Sequence, residues 1–469
     1  VGLSIITKQK DQANSILAAN TLAFTACFAV WLMFSIIGIE IKDIINLSET
    51  EFGLMVATPI LTGSILRLPL GMLTDKVGGR RVFIGLMMTM IAPLWFISEA
   101  TEYWHFLILG LFVGVAGASF SVGNAYTVKW FDQSHQGFAM GIFGAGNAGA
   151  AITKFIAPAL IIAYGTWTVV PKFFAVAMVI VIVAYWMFTY EDPAHKLSSN
   201  VGIKEQLKAL NDPKLWKYMQ YYSLVFGGFV ALSLWMTKYY INEYGFGLQT
   251  AALLATIFVL PAGIVRALGG WFADKYGAYK VTWLVMWVSL ICLFFLSYPQ
   301  TSLIIKTTTG ETSLDLSLNV WVFTGILFIL GVAWGLGKAS VFKFLSDEYP
   351  DNIGTASGAV GLAGGLAGFL LPIMFGALID YTHINSSIFM LLYGATAVSL
   401  IWMHFTFGKE QRDKGILKAK NDAFNKYTET RNSPEDVISA RAVLEQMDLI
   451  EEFNERYNAF KANAKKGNN

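Results

Sequence analysis

Twelve mostly apolar runs dominate the chain, at 17–39, 52–74, 82–98, 104–128, 137–163, 169–190, 217–241, 249–273, 281–298, 319–342, 353–379 and 386–407. Each is close to the roughly 20 residues that a helix needs to cross the hydrocarbon core of a bilayer. Backbone N–H and C=O groups cannot face lipid unpaired, so the runs must be helices or the strands of a closed barrel. Barrel strands would be about 10 residues long with strict apolar–polar alternation, which these runs lack. The expected fold class is an all-α polytopic membrane protein. Composition agrees: 55% of the residues are hydrophobic and 14% charged, a departure from the soluble norm towards many membrane spans. The first run is too long for a cleaved leader and is expected to stay as a span. Cys27 and Cys292 both lie within apolar runs, where no disulfide is implied.

Lysines and arginines of short connections stay preferentially on the cytoplasmic side. With the N-terminus inside, the inner connections hold fourteen of them and the outer ones four, namely Lys42, Lys172, Lys238 and Lys306. Both termini are therefore expected in the cytoplasm. A net charge of +2, with basic residues spread along the chain, excludes a nucleic-acid footprint. The polar stretch 191–216 follows the sixth run and divides the chain into residues 1–190, a cytoplasmic linker, residues 217–407 and a cytoplasmic tail, 408–469. In the tail, Ser433, Pro434 and Asp436 begin an expected amphipathic helix.

The two sets of six runs echo one another. Arg67 and Arg266, Gly71 and Gly270, and Asp75 and Asp274 each stand 199 residues apart. Asn124 and Lys338, and with them Lys129 and Lys343, stand 214 apart, and a longer connection before the tenth run absorbs the difference. A duplicated six-helix unit leaves this pattern, and transporters built from repeats hold their substrate at the repeat interface near mid-membrane. An arginine inside a span costs at least about 2.5–3.5 kcal/mol, so Arg67 and Arg266 need a use that repays burial. The spans offer almost no carboxylate to pair with them. A guanidinium stays charged and presents a planar fork that matches a flat oxyanion; two facing forks would clamp one small anion.

Small residues recur at three- and four-residue spacing in the fifth run (Gly137, Gly141, Gly144, Gly146, Gly149) and the eleventh (Gly358, Gly361, Gly364, Gly365, Gly368), which suits close helix packing. Packing leaves Asn147 unexplained: its amide can donate to an anion without adding charge. Lys154 and Lys338 are the other deep cations and are candidates for coupling to protons, because buried lysine changes protonation readily. Asp75, Arg80 and Asp274 lie on short inner turns and read as gating residues. No paired acid and base and no metal-ligand cluster accompanies the arginines, which argues against an enzyme, a metal site or a cofactor.

The pattern from Gly71 through Asp75, Lys76 and Gly78 to Arg80 and Arg81 resembles the signature of the major facilitator superfamily, weakened at its second copy from Asp274 to Lys280. Together with Arg67, Arg266 and the two glycine-rich stretches, the chain resembles the nitrate/nitrite porter family over residues 17–407. The resemblance implies twelve transmembrane helices in two pseudo-symmetric six-helix bundles, and a nitrate or nitrite anion bound by Arg67, Arg266 and Asn147. It further implies that Phe34, Phe120, Tyr222 and Phe226 sandwich the anion, with Gly144, Gly146, Gly149, Gly361 and Gly364 lining the site. Lys338 and Lys154 depart from the exchangers of that family and are similar to a branch proposed to take up nitrate with protons. The implied protein is an inner-membrane monomer that works by alternating access, by proton symport or nitrate/nitrite exchange. The alternatives are a carrier of formate, oxalate or a phosphate ester, and a nitrate receptor that signals through the tail.

Overall fold

The computed structural model describes residues 2–191, 212–308, 310–349 and 353–407. Most of the linker expected at 191–216 and the tail helix expected after Ser433 lie outside them. The chain divides into two units, Val1–Leu400 and Ile401–Asn469. All that follows concerns the first, apart from residues 401–407, which are helical.

Ten helices among the described residues are long and apolar enough to cross a membrane, and two bent helix pairs raise the number to twelve. In chain order the spans are Asp11–Ile45, the bent pair Glu49–Ile65 and Arg67–Val77, Gly79–Ile97, Tyr103–Val128, Phe138–Tyr164, Val169–Phe188, Pro213–Tyr244, the bent pair Leu248–Ile264 and Arg266–Tyr276, Ala278–Leu296, Val320–Glu348, Ala356–Thr382 and Ser387–Phe407. The twelve expected runs are these twelve spans. Among the described residues the fold is all-α apart from one feature absent from the sequence expectation. The long connection before the tenth span folds as an antiparallel hairpin, β1 (Thr301–Thr307) and β2 (Gly310–Leu316).

Half of the spans are not continuous α-helices, which the apolar runs alone did not foretell. Span one breaks at Leu32 and Met33. Spans two and eight bend by 40° and 46°, and each bend falls immediately before an arginine, Arg67 or Arg266. Each follows a proline and a glycine, Pro59 with Gly63 and Pro261 with Gly263; proline donates no hydrogen bond and weakens the ladder there. Span four tightens to a 3₁₀ turn at Gly114–Ala118 and span five at Ala145–Ala148. Span seven opens into a π turn at Ser223–Gly227, a geometry frequent at functional sites. Such breaks are tolerated at membrane depth only where protein or a cavity surrounds them, and all of them adjoin one region.

Glycine brings the first six and last six spans into contact. A Cβ on Gly263 would stand 2.9 Å from the backbone nitrogen of Ala148, and one on Gly53 would strike the carbonyl of Pro372. These are backbone-to-backbone approaches that no larger residue permits.

Candidate functional site

Arg67 and Arg266 open the second segments of the two bent spans and are only 5% and 9% exposed. The bend turns each side chain out of its own helix column and into the space between the two sets of spans. Phe120 of span four is common to both: its ring centre lies 5.9 Å from the Arg67 guanidinium carbon and 5.0 Å from that of Arg266. Arg67 is also 5.0 Å from Phe226 and 5.8 Å from Trp31, and Arg266 is 5.6 Å from Phe342. Aromatic faces attract cations most strongly when water is excluded, so the rings hold the two charges in place without neutralising them. Among the described residues neither arginine has a carboxylate within ion-pair distance.

Each arginine also crosses to a glycine of the opposite set. Arg67 Nη1 donates to the Gly361 carbonyl at 3.0 Å, and its Nε to the Gly117 carbonyl of the 3₁₀ turn at 3.4 Å. The Arg266 side chain runs past Gly144, where a Cβ would stand 3.3 Å from its Cδ. Gly364 leaves room for two rings of span seven, one just before the π turn and one within it: its Cβ would stand 2.5 Å from Tyr222 and 3.2 Å from Phe226. Those rings stack at 5.1 Å with an 8° interplanar angle, and Phe342 meets Tyr222 edge-on at 5.0 Å. Gly146 and Gly149 have a different neighbour. They press span five against span one, at Phe24 and at the Thr25 carbonyl.

Asn147 sits inside the 3₁₀ turn of span five, 1% exposed, and neither side-chain atom has a hydrogen-bond partner among the described residues. A buried amide left unpaired costs about 1–3 kcal/mol. The Lys338 ammonium is likewise fully buried and unpartnered among the described residues; it lies 3.6 Å from the Phe229 ring centre. Lys154 is engaged, donating to the Ser233 carbonyl at 2.8 Å and to Thr237 Oγ1 at 3.0 Å across to span seven.

The structure gathers Arg67, Arg266, Phe120, Tyr222, Phe226, Gly144, Gly361 and Gly364 into one region. Phe34 is not among the rings within reach of either guanidinium; it follows the break in span one, and Trp31 before the break takes the contact. Trp31 and Phe342 escaped the sequence reading. Phe342 stands four residues after Lys338, on one face of its helix, and that spacing was the available signal. Trp31 has no sequence signal that separates it from the other aromatic residues of the first span.

At the end of the bundle where spans two and eight finish, Asp75 pairs with Lys129 at 3.3 Å and Asp274 with Lys343 at 3.3 Å. Each pair joins two spans of one set, and the lysines are themselves repeat partners, so the duplication extends to matched ion pairs. Arg80 Nη2 donates to the Trp186 carbonyl at 2.6 Å, in the last turn of span six, where a helix end favours a cation. The opposite end is bridged between the sets. Lys238 of span seven, buried against Phe52 and Trp235, pairs with Glu49 at the start of span two. Asp380 of span eleven accepts from the backbone N–H of Glu49 at 3.1 Å and of Thr50 at 2.9 Å, capping span two from the other set. Among the described residues no group of three or more His, Cys, Asp or Glu could hold a metal ion.

The family model described as the Major Facilitator Superfamily matches residues 20–372. The chain is 36% identical to the probable nitrate/nitrite antiporter NarK1 of Thermus thermophilus, over 86% of this chain and 93% of that protein. It is 28% identical to the nitrite extrusion protein of Bacillus subtilis (strain 168), over 83% of this chain and 94% of that one. Among solved structures it resembles the nucleoside transporter NupG with a TM-score of 0.65 and 13% identity, covering 84% of this chain and 100% of that one. That likeness establishes the fold alone.

Proposed function

The chain belongs to the nitrate/nitrite porter family of the major facilitator superfamily, and from that premise we propose that it carries nitrate or nitrite across the cytoplasmic membrane by alternating access. The observation that carries the reading is the pair of buried guanidiniums that share Phe120 and have no carboxylate partner among the described residues. Two like charges held this close repel unless an anion lies between them, so anion binding and closure of the two sets around the site are linked. Each fork gives an oxyanion two parallel N–H bonds, and the Asn147 amide supplies a further donor. The flat rings of Phe120, Tyr222 and Phe226 favour a planar anion over a tetrahedral one. Gly144, Gly361 and Gly364 let the arginines and rings close on something this small, while Gly146 and Gly149 hold span five in place to present Asn147.

In this reading the moving bodies are residues 1–190 and 217–407, joined by the linker 191–216, and the protein is a monomer in the inner membrane with both termini in the cytoplasm. The lysine and arginine distribution puts the Lys238–Glu49 end outside. Asp75, Arg80 and Asp274 then brace the inner ends of the spans that part and close. The decisive experiment is uptake of labelled nitrate into proteoliposomes, with internal nitrite, with a pH gradient, or with neither, and with formate and oxalate as competitors. Uptake that nitrate and nitrite fail to inhibit, but formate or oxalate does, overturns the substrate.

The outer closure makes a prediction of its own. In a Lys238→Met protein, Glu49 keeps Lys42 at 3.5 Å but loses its link to span seven. A cysteine in place of Ser233 should then react with an external thiol reagent about tenfold faster, corresponding to about 1.4 kcal/mol of lost closure. An unchanged labelling rate would show that this pair does not hold the gate.

Coupling is assigned to Lys338 ahead of Lys154, because Lys154 already spends its protons on Ser233 and Thr237 whereas the Lys338 ammonium lies against the Phe229 ring with no hydrogen-bond partner among the described residues. Burial makes the protonation of a lysine sensitive to a neighbouring charge, which is what coupling to an anion requires. Lys338→Met is expected to keep nitrate exchange against internal nitrite within about threefold, while uptake driven by a pH gradient falls by about tenfold or more. Gradient-driven uptake at the parental rate removes Lys338 from the coupling.

A further inference from the structure

The hairpin of β1 and β2 has two unlike faces. Leu303 pairs with Leu314, Ile305 with Thr312 and Thr301 with Leu316; directly opposed residues and those two apart share a face. That face holds the four apolar residues Leu303, Ile305, Leu314 and Leu316 among threonines and Gly310. The other carries Ser302 with Asp315, Ile304 with Ser313 and Lys306 with Glu311, and apart from Ile304 it is polar. The apolar face is only partly covered, with Leu303, Ile305, Leu314 and Leu316 between 37% and 48% exposed, while the lone apolar residue of the other face, Ile304, is 68% exposed. A two-stranded hairpin by itself is marginally stable in water at best, and this one leaves more than a third of each of these four side chains open.

The position of the hairpin identifies what covers them. Span nine ends at Leu296 and span ten begins at Val320, so each strand starts or stops within four residues of a membrane helix. The two helix ends carry exposed Phe294, Phe295, Tyr298, Trp321 and Val322, with Trp321 69% exposed. Tyrosine and tryptophan at span ends mark the membrane–water boundary. The hairpin therefore stands directly beside a surface suited to lipid. Seven-residue strands make a strip about 23 Å long and about 10 Å wide, roughly 230 Å², far below the roughly 800 Å² per partner of a stable protein interface. A second copy of the chain would find too little to hold.

We propose that this hairpin is a membrane-surface anchor, lying along the bilayer beside spans nine and ten with Leu303, Ile305, Leu314 and Leu316 seated at the headgroup–acyl boundary. Its charges Lys306 and Glu311 lie on the opposite face and stay in water. An amphipathic element binds an interface through its buried apolar area, and here the two flanking spans hold it there already. The hairpin would fix the ends of spans nine and ten at one depth while the rest of the protein moves. This inference does not depend on which anion is carried.

The test uses the full chain in lipid nanodiscs, with Cys27 and Cys292, both buried, replaced by alanine. Single spin labels are placed at Leu303→Cys, Ile305→Cys and Leu314→Cys on the apolar face, and at Ser302→Cys and Ser313→Cys on the polar face. Collision with oxygen, which concentrates in lipid, is compared with collision with a water-soluble nickel chelate. The ratio of oxygen to nickel accessibility is expected to be about tenfold higher on the apolar face. Equal ratios on both faces would mean that the hairpin stands in water, and overturn the proposal. So would apolar-face labels shielded from both reagents, because a protein partner would then cover them. A melting temperature unchanged from that of the cysteine-free parent verifies that each labelled protein folds.

Discussion

An Arg67→Lys protein is expected to take up nitrate at between about one-tenth and one-hundredth of the parental efficiency, and Arg266→Lys to do the same. Lysine keeps the charge, so a loss of this size isolates the geometry of the fork. A hydrogen bond to a charged group is worth about 1.5–3 kcal/mol, and an ammonium replaces two parallel bonds with one. Arg67 has a second duty, since its Nη1 and Nε hold the Gly361 and Gly117 carbonyls while its guanidinium carbon lies 5.0 Å from the Phe226 ring centre. A lysine cannot reach both carbonyls and an anion together. Initial rates of labelled nitrate uptake, with the melting temperature of the detergent-solubilised protein as a check on folding, measure the effect. Near-parental uptake by both lysine variants would remove the two-fork clamp from the mechanism.

Asn147→Leu is the sharper test, because its two expected effects have opposite signs. Leucine is close in shape and removes an amide that has no partner among the described residues, so the protein should gain about 1 kcal/mol of stability or lose nothing. Transport should nevertheless fall by about tenfold or more, as expected for loss of a donor to an anion in a dry site. Were Asn147 merely a packing residue of the 3₁₀ turn, between span one and the close approach of Gly263, stability and transport would fall together. Thermal unfolding and uptake assays on one preparation separate the cases. A destabilised variant that transports normally when folded would rule out Asn147 as a ligand.

Much of the fold was legible in the sequence, because a bilayer imposes a length and a polarity that a one-dimensional string displays directly. The twelve runs matched the twelve spans within a few residues at most ends. The largest departures were span one, which continues to Ile45, and span ten, which continues to Glu348. The repeat was legible too: the 199-residue spacing of Arg67 and Arg266 corresponds to two helices bent at the same place, and Lys129 and Lys343 carry matched ion pairs to Asp75 and Asp274. The arginines announced themselves because charge inside an apolar run is costly wherever the helix sits. Aromatic residues carry no such mark, since a phenylalanine is at home on every face of a membrane helix; hence Phe34 was expected beside the arginines and Trp31 and Phe342 were not.

The sequence by itself determined which segments cross the membrane, that they descend from a duplicated unit, and which charges must be accounted for inside it. Hydropathy, spacing and charge are properties of single segments, and the membrane acts on each segment alone. Only the tertiary structure decided what those charges meet. Phe120 comes to serve two arginines, Glu49 finds Lys238 and Asp380, and Asn147 is left without a partner among the described residues, through contacts between residues up to 331 positions apart. Such contacts depend on where each helix bends and which face it turns to its neighbours. Those choices are made by packing among twelve helices at once, and no one of them records the outcome.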